Sequence, residues 1–365
     1  MPKVVLTVGT KKGLFLLESD AQRDKWTQRG PFLQGDDINH GTVDVRTGTV
    51  FATANSPWFG NRVARSSDLG KTWQDSTGSP KLAEGSDKSV AKLWRIQPAG
   101  DSEPGVLHCG ADPACLFRSD DGGDTWVENE ALTNHPTREG WFPGAGGLIT
   151  HSIVVDATNK DRMWLAISAA GVFRTQDRGK SWQPMNSNLK NVLAKYDPNA
   201  EKYPAVGQCV HHLVHAAGSG DRLYAQTHWG TYRSDDGASA WTDITEGLPS
   251  DFGMMIAAHP HNPDVAYVVP LQGAEFRCPP EAKLRVYRTT DAGKTWEPMS
   301  KGLPQEDAYM GTYREGMSVD TLPQAGIYFG TNTGQLYAST DEGESWRRIT
   351  PDLPPISSVS AAVLE

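Results

Sequence analysis

The sequence predicts an all-β protein, a seven-bladed β-propeller that is closed by its own C-terminal strand. Three observations support this prediction: one eight-residue motif recurs along the chain, each repeat divides into four strand-like segments, and the two chain ends supply complementary parts of one repeat. The tryptophans that end the copies of the motif are 47 to 59 residues apart, at positions 26, 73, 126, 182, 241, 296 and 346. A period of this length is typical of four-stranded propeller blades.

The repeated motif is clearest in the stretch YRTTDAGKTW at 287–296, where it reads hydroxyl-x-Asp-x-Gly-x-hydroxyl-Trp. Four other copies keep the pattern and two are degenerate, and the six lie at 66–73, 119–126, 175–182, 339–346, 234–241 and 19–26. Asp accepts hydrogen bonds from backbone N–H groups of a turn, and Gly adopts backbone conformations that other residues resist. The tryptophan is expected to bury its ring beneath the turn. The acids of the motif are therefore predicted to be structural and not catalytic.

Four strands of about five to six residues are predicted in each repeat. In 301–350 they are MGTYREGMSV, GIYFGT, GQLYAST and SWRRIT. The N-terminus supplies a second, third and fourth strand, and SSVSAAVLE at the C-terminus supplies the missing first strand. Such a three-plus-one closure removes an open sheet edge that would invite aggregation. The prediction is a single domain over 1–365, with blade one from 1–30 plus 356–365 and the others at 31–78, 79–131, 132–187, 188–247, 248–301 and 302–355.

The composition indicates a turn-rich protein without a membrane span. The chain has 365 residues with 37 Gly and 24 Pro, and it contains no run of about 18 apolar residues. The start, MPKVVLTVGT, lacks the long apolar region of a signal peptide, so we expect a cytoplasmic protein. Its four cysteines, at 109, 115, 209 and 278, are then expected to be free thiols, with a 109–115 disulfide as the minor alternative. The net charge of −9 argues against nucleic acid or an anionic membrane as partner.

Strand direction places the candidate site at one face of the ring, which we call the upper face. First strands are expected to start there, whereas the Asp-containing turns lie at the rim of the opposite, lower face. Three histidines and a glutamate start first strands at one level around the channel mouth: His40, His151, His211 and Glu315. Five further residues are expected near the same level: His228, Arg314, Tyr313, Trp94 and Arg95. Titratable groups that gather in one pocket predict a functional site, although each could instead be a packing or hydrogen-bonding residue.

Two chemistries fit this group of side chains. His40, His151, His211 and His228 could hold a divalent metal at the channel mouth and leave one position open to substrate. Alternatively, Glu315 transfers protons while histidine and arginine bind an anionic or hydroxyl-rich substrate. Glycoside hydrolysis usually needs a second carboxylate, and the candidates on predicted upper loops are Asp36, Asp37, Asp112 and Asp251.

A Gly- and Pro-rich stretch precedes the first strand of blade four. It reads HPTREGWFPGAGGL at 135–148 and contains Trp141 and Phe142. Loops that carry function are commonly held on a rigid scaffold. The stretch could therefore form a rim or lid over the pocket, and the alternative is an ordered surface loop.

The repeats and the segments around them resemble a known family. The Asp-containing turns are similar to the Asp-box, or BNR, repeats of bacterial sialidases, and the whole chain resembles bacterial BNR-repeat proteins labelled glycosyl hydrolase or sialidase-like. The segments that carry this resemblance are PGAGGLITHSI, GQCVHHLVH, THWGTYRSDDG, GLPSDFGMMIAAHPHNPD and YFGTNTGQLYASTDEGESW. The resemblance implies a propeller that acts on carbohydrate.

The resemblance also has limits that bear on activity. True sialidases look like six-bladed propellers with an arginine triad opened by a Phe/Tyr-Arg-Ile-Pro motif, whereas WRIQP at 94–98 contains Gln97 and lies in the third predicted blade. Xyloglucanases have similar seven-bladed domains in tandem pairs. A photosystem assembly factor of similar architecture only binds proteins, so the fold also permits a protein without catalytic activity.

The sequence therefore predicts a hydrolase or lyase that acts on a small, polar, sugar-like substrate at the upper end of the channel. Glu315 and His151 are the predicted proton-transfer residues. The predicted substrate-binding residues are Arg314, Tyr313, Trp94, Arg95, His40, His211, His228 and Trp141. The alternative is a non-catalytic scaffold whose upper face binds a protein partner.

Overall fold

The computed structural model describes residues 2–86 and 88–365, and in these ranges it contains seven four-stranded antiparallel sheets. Residue 1 of predicted blade one and residue 87 of predicted blade three lie outside the described residues. The seven sheets confirm the predicted seven-bladed β-propeller. Across the described ranges, no helix has the length and apolar character that crossing a membrane would need.

Blade one combines both ends of the chain. Its strands, from the channel outwards, are β28 (Ile356–Leu364), β1 (Lys3–Thr10), β2 (Gly13–Asp20) and β3 (Thr27–Phe32). The strands β28 and β1 pair antiparallel from Lys3 opposite Leu364 to Thr10 opposite Ile356. The three-plus-one closure is thus confirmed, and it joins the first and last segments of the chain through one sheet.

The other six blades follow in chain order, and each begins with its innermost strand. Blades two to four contain β4 (Asp37–Asp44), β5 (Thr49–Ser56), β6 (Gly60–Ser66), β7 (Gln74–Asp75), β8 (Lys92–Pro98), β9 (Leu107–Asp112), β10 (Cys115–Ser119), β11 (Val127–Glu128), β12 (Ile149–Val155), β13 (Met163–Ser168), β14 (Gly171–Thr175) and β15 (Gln183–Pro184). Blades five to seven contain β16 (Val210–His215), β17 (Leu223–Thr227), β18 (Gly230–Ser234), β19 (Thr242–Asp243), β20 (Phe252–Ala258), β21 (Ala266–Leu271), β22 (Val286–Thr289), β23 (Glu297–Met299), β24 (Met317–Val319), β25 (Ile327–Gly330), β26 (Leu336–Ser339) and β27 (Arg347–Arg348). The short helical segments are α1 (Glu130–Thr133) and the 3₁₀ turns Arg138–Gly140, Val192–Lys195 and Pro280–Ala282.

Asp-containing turns connect third and fourth strands, and each is held by its own side chains. In the turn after β22, the Thr295 backbone N–H and hydroxyl donate to the Asp291 carboxylate at 2.9 and 2.7 Å. The Thr289 hydroxyl donates to Asp291 at 2.8 Å and accepts from the Gly293 N–H at 2.8 Å. Hydrogen bonds to the ionised form favour it, and here those from Thr295, the largest cause, lower the pKa of Asp291 to about 2. The acid is thus committed to its turn, in line with the predicted structural role.

Several tryptophans of these turns form hydrogen bonds with a neighbouring blade. The indole N–H of Trp296 donates to the Ile244 carbonyl at 2.8 Å, and that of Trp241 donates to the Met185 carbonyl at 2.8 Å. Both acceptors belong to the preceding blade, just after its fourth strand. Each of these two indoles therefore links its turn to the preceding sheet in the ring, in addition to covering apolar surface.

The apolar core lies between adjacent sheets. One cluster joins Trp164 and Val172 of blade four to Leu213 and Tyr232 of blade five. Another joins Leu6 of blade one to strands of blade seven. Alternate residues of each strand face one neighbouring blade or the other, so the fold depends on every pair of neighbours. All four cysteines are free, as expected.

Six of the seven innermost strands carry a β-bulge near their upper ends. The pairing register shifts between Ile38 and Gly41 in β4, and corresponding shifts occur in β8, β12, β16, β20 and β28. The residues left without a partner in these ladders are Asn39, His40, Trp94, His151, His211, Met254, Met255 and Ser357. A bulge suspends strict alternation and re-aims side chains, and bulges are common next to active sites. The upper end of the channel is therefore lined by irregular backbone.

Candidate functional site

The central channel contains two cavities that share Glu315. The upper cavity has a volume of about 220 Å³ and is lined by Lys11, Asn39, Trp94, Gly146, Met254, Arg277, Tyr313, Arg314, Glu315 and Ser357. The lower cavity has a volume of about 300 Å³ and is lined by Arg95, Gln97, Glu315, Ser360 and residues of β12, β16, β20 and β24. Because the Glu315 side chain borders both spaces, it lies at the level that divides the channel.

Glu315 is buried and held by two basic side chains from other blades. Its Oε2 pairs with the Arg95 guanidinium, and the His212 Nε2 lies 3.6 Å away. Oε1 is buried and has no hydrogen-bond partner among the described residues. Burial by itself would raise the pKa of Glu315, but the charge of Arg95 and the nearby His212 outweigh it and hold this pKa below its ordinary value. Glu315 is therefore an ionised carboxylate, which suits it to stabilise positive charge and makes it a weak base.

The upper cavity has an excess of cationic side chains. Arg314, Arg277 and Lys11 line it, and the one carboxylate in the lining, Glu315, is already paired with Arg95. Lys11 is itself engaged by Asp37 at 2.8 Å, so two guanidinium groups remain as the main charges. Arg314 donates to the Ser168 hydroxyl at 3.2 Å, and burial lowers its pKa. A guanidinium group suits recognition of a carboxylate or phosphate group.

Two of the predicted histidines, His40 and His151, are buried and neutral. His40 has its Nε2 3.3 Å from the Ser360 hydroxyl, and burial, with the nearby Arg95 charge, lowers its pKa to about 3. His151 has its Nε2 2.9 Å from the Val210 carbonyl and its Nδ1 2.9 Å from the Ser152 hydroxyl. Because a carbonyl only accepts, Nε2 of His151 carries the proton. Both ring nitrogens of His151 are thus engaged between blades four and five, and neither reaches the channel.

His211 and His228 come together with a residue that the sequence reasoning did not select, Cys209. The possible ligand atoms of the three side chains all lie within 4.8 Å of one another. The two imidazole rings are 5.5 Å apart, and both contact the Phe252 ring. His40 and His151 do not join this group, so the predicted four-histidine metal set is not assembled among the described residues.

The three predicted aromatic residues separate into two groups. Tyr313 and Trp94 line the upper cavity. Trp141 instead stacks on His135, lies 4.8 Å from the Phe173 ring centroid and donates its indole N–H to Thr137 at 3.0 Å. Its ring is only 7% exposed. Trp141 therefore packs in the core of blade four, away from the upper cavity, because its apolar surface is better buried there than at a wet mouth.

The stretch at 135–148 forms part of the rim. Phe142 and Ala169 exchange backbone hydrogen bonds, and Gly146 lines the upper cavity. Gly147 has a φ of +111°, and a Cβ atom there would come within 2.5 Å of the Asp112 carboxylate. The rim thus needs glycine at this position, because a side chain would strain the backbone and collide with Asp112.

Asp112 differs from the other candidate second carboxylates. Asp36 pairs with Arg62 at 2.6 Å, Asp37 pairs with Lys11 and Lys92, and Asp251 is exposed. Burial raises the pKa of Asp112, and the charge of Lys92 opposes this shift only in part. Asp112 is therefore the candidate whose surroundings favour the protonated form.

Several residues around the channel could not be selected from the sequence. His212 follows His211 directly, yet it faces Glu315 because the bulge in β16 turns two consecutive histidines towards different groups. Arg277 lies in a loop of blade six without any motif. Cys209 precedes β16 and stands two residues before His211, which is the one local signal that could have suggested it.

Comparisons with known proteins match this chain to the model of one propeller family and show sequence similarity to several enzymes. Residues 141–363 match the model described as the DUF6242 beta propeller domain. The oligoxyloglucan-reducing end-specific xyloglucanase of Emericella nidulans is 23% identical over 387 residues, which cover 87% of this chain and 44% of that protein. The xyloglucanase of Hypocrea jecorina is 26% identical over 257 residues, covering 65% of this chain and 29% of that protein. This chain thus spans less than half the length of the curated relatives it matches.

A solved structure supports the same architecture. The GH74 enzyme of Niastella koreensis superposes with a TM-score of 0.56 at 13% identity, covering 98% of this chain and 66% of that chain. At this identity the similarity concerns the fold alone. The sequence relatives named above are xyloglucanases, and the solved GH74 structure shows that the propeller fold is shared.

Proposed function

This chain belongs to the DUF6242 beta propeller family, and from that premise we propose that it is a hydrolase or lyase that acts on a small, anionic, sugar-like substrate in the upper cavity. One observation carries the proposal: the guanidinium groups of Arg314 and Arg277 line a small cavity whose own carboxylate, Glu315, is already neutralised by Arg95. The xyloglucanase relatives support carbohydrate as the substrate class.

The size of the upper cavity favours a substrate of about one sugar ring. Its volume of about 220 Å³ is smaller than the roughly 300–1,000 Å³ of pockets for drug-sized ligands. The Tyr313 and Trp94 rings at its wall offer apolar surface for a sugar ring, and their polar atoms can bond hydroxyl groups. Arg314 would hold the acidic group of the substrate, because its planar fork matches carboxylate and phosphate.

Two carboxyl groups with opposite pKa shifts are available for catalysis. Burial raises the pKa of Asp112, whereas the charges around Glu315 lower its pKa. Pairs of this kind commonly divide their roles, one as the acid and the other as an ionised stabilising group. In the proposal Asp112, which lies beside Gly147 of the rim and outside the lining of the upper cavity, donates a proton to the leaving group. Ionised Glu315 stabilises positive charge in the transition state. His151, with both nitrogens engaged, helps to hold the blades and takes no part in proton transfer.

The experiment measures binding and turnover with a matched panel of uronic acids, sugar phosphates and the corresponding neutral sugars. We expect the anionic members to bind more tightly. Arg314→Gln should weaken their binding roughly 10- to 100-fold, because charge-assisted hydrogen bonds contribute about 1.5–3 kcal/mol. Arg65→Gln is the matched control, since Arg65 pairs with Asp124 at the lower rim. Asp112→Asn should keep binding and lose turnover, and Glu315→Gln, which frees the Arg95 charge, should lose turnover without weakening the binding of anions.

Equal binding of neutral and anionic sugars, or unchanged binding by Arg314→Gln, would contradict the proposal. If no member of the panel binds, the alternative of a protein-binding scaffold takes its place. Trp58 and Phe59, adjacent in the β5–β6 hairpin and 87% and 82% exposed, are then the first residues to test for partner contact.

A further inference from the structure

Cys209, His211 and His228 form a compact group of soft and borderline ligands beside the upper cavity. Cys209 immediately precedes β16, His211 is the bulged residue of that strand, and His228 follows β17. The His228 backbone N–H donates to the Cys209 carbonyl at 2.9 Å, which fixes the two residues next to each other. Their side-chain ligand atoms and that of His211 lie within 4.8 Å of one another.

The hydrogen bonding of His211 leaves the correct nitrogen for a metal. Its Nδ1 lies 2.6 Å from the Gly253 carbonyl, so Nδ1 carries the proton and Nε2 presents its lone pair. Metal-ligating histidines usually donate their second ring N–H to such a carbonyl, which fixes tautomer and orientation. His211 is therefore already oriented as a ligand, with its outer partner supplied by blade six.

We propose that Cys209, His211 and His228 bind one Zn²⁺ ion and leave its fourth position open. One thiolate and two imidazoles suit zinc, whereas magnesium and calcium prefer oxygen ligands. Zn–N and Zn–S bonds of roughly 2.0–2.3 Å place tetrahedral ligand atoms about 3.3–3.8 Å apart, so the group needs to contract by only about 1 Å. On binding, the Cys209 thiol releases its proton to solvent, and each imidazole binds in its neutral form through the lone pair of a ring nitrogen.

The surroundings of Cys209 fit a metal-bound thiolate. The Ser168 hydroxyl lies 3.4 Å from the Cys209 sulfur and accepts a hydrogen bond from Arg314 at 3.2 Å, so it can donate its own proton to the thiolate. Gly144 covers the sulfur from the rim, and a Cβ atom there would lie 3.7 Å from it. The ion would thus lie beside Arg314. Its binding can be tested independently of the proposed carbohydrate activity, because metal binding is measured directly.

The test uses the full chain, purified without a polyhistidine tag, incubated with Zn²⁺ or Co²⁺ and dialysed against metal-free buffer. Elemental analysis should find about one Zn²⁺ per chain. The Co²⁺ form should show a thiolate-to-cobalt charge-transfer band in the near ultraviolet and the visible bands of tetrahedral cobalt. Zn²⁺ should also raise the melting temperature, because a ligand that binds only the folded state stabilises it.

Substitutions then assign the site. Cys209→Ser should abolish the charge-transfer band, and His211→Ala should weaken Zn²⁺ binding by more than the roughly 10- to 100-fold that loss of an outer partner costs. Cys115→Ser, which removes another buried thiol in blade three, is the matched control and should keep one Zn²⁺ per chain.

Three results would overturn the assignment: a wild-type chain that retains no Zn²⁺ after dialysis, bound Co²⁺ without a thiolate band, or an unchanged stoichiometry in folded Cys209→Ser. If that variant does not fold, the wild-type cobalt spectrum alone decides, since it reports thiolate coordination directly.

Discussion

The lower rim and the upper mouth of this propeller are built in opposite ways. At the lower rim an Asp-containing turn recurs, and in a complete copy such as that of Asp291 the hydrogen bonds lie within seven residues. At the upper mouth the contacts join distant segments: Arg95 and Glu315 are 220 residues apart, and His40 and Ser360 are 320 apart. The repeated element builds the ring, whereas several of the chemically distinctive residues, such as His40 and His211, lie where an innermost strand carries a bulge.

Both regions require a closed ring, and deletion of 356–365 tests this requirement. Of the changes considered, it should have the largest effect on stability. It removes β28, leaves the inner edge of β1 without its partner strand along Lys3–Thr10, and removes the buried side chains of Ile356 and Val359. Each such side chain contributes about 1.5–3 kcal/mol, against a typical total stability of about 5–15 kcal/mol. We therefore expect no cooperative unfolding transition by circular dichroism, together with aggregation.

Deletion of Glu365 alone is the control for that truncation, since this exposed residue lies beyond β28. Its melting temperature should equal that of the full chain. If the 355-residue chain melted like the full chain, the upper and lower regions would not depend on the closure.

The difference between the two regions also explains what the sequence could and could not predict. The period of the turn and the complementary ends were sufficient for the blade count and the closure, because both depend on local patterns. The level of His40, His151 and His211 was also predictable from strand starts, and all three are bulged residues. Where a bulged side chain points depends on the neighbouring blade, so the engagement of His151 by Val210 and the grouping of His211 with Cys209 were not predictable.

Groups in the two regions should change the stability of the protein over different pH ranges. Those at the upper mouth should cause the larger change in the free energy of unfolding. Burial lowers the pKa of His40 to about 3, from about 6.5 in an unfolded chain. The unfolded state therefore binds the proton first, and His40 makes the protein less stable as pH falls from about 6.5 towards 3. Between pH 6.5 and 4.5 the loss for this one histidine is about 2 kcal/mol, since the slope approaches 1.36 kcal/mol per pH unit.

Urea denaturation at a series of pH values measures this dependence. His40→Gln should reduce the slope of unfolding free energy against pH between 6.5 and 4.5, whatever its effect on stability at pH 7. The Asp-containing turns change stability at a lower pH, because the pKa of Asp291 is about 2 and that of an unfolded aspartate is about 3.9. Their contribution is present above about pH 4 and is lost as pH falls towards 2. A His40→Gln slope equal to that of the wild type would mean that His40 is not buried in neutral form.

A single lower-rim turn should contribute the least to the free energy of unfolding. Two copies of the motif, one complete and one degenerate, allow this contribution to be measured. The carboxylate of Asp341 accepts from the Ser345 N–H at 2.9 Å and from the Ser345 and Ser339 hydroxyls. Asp236, in a degenerate copy, accepts from the Ala240 N–H at 3.0 Å and from the Ser234 hydroxyl, and Ala240 has no hydroxyl to donate. We expect Asp341→Ala to lower the free energy of unfolding by about 1–2 kcal/mol and Asp236→Ala by roughly half as much, because these hydrogen bonds are largely solvated.

The pH dependence of stability provides a check on the comparison between these two alanine variants. Burial opposes the shift, but the hydrogen bonds from Ser345 and Ser339 hold the pKa of Asp341 below its ordinary value. Its contribution is therefore present above the unfolded pKa of about 4, and the difference between wild type and Asp341→Ala should shrink as the pH falls through the lowered folded value. If the two alanine variants lost equal stability at pH 7, the second hydroxyl of the motif would add nothing. The complete and degenerate turns would then be equivalent, and the repetition at the lower rim would reflect the tryptophan contacts between blades and not the Asp bonding.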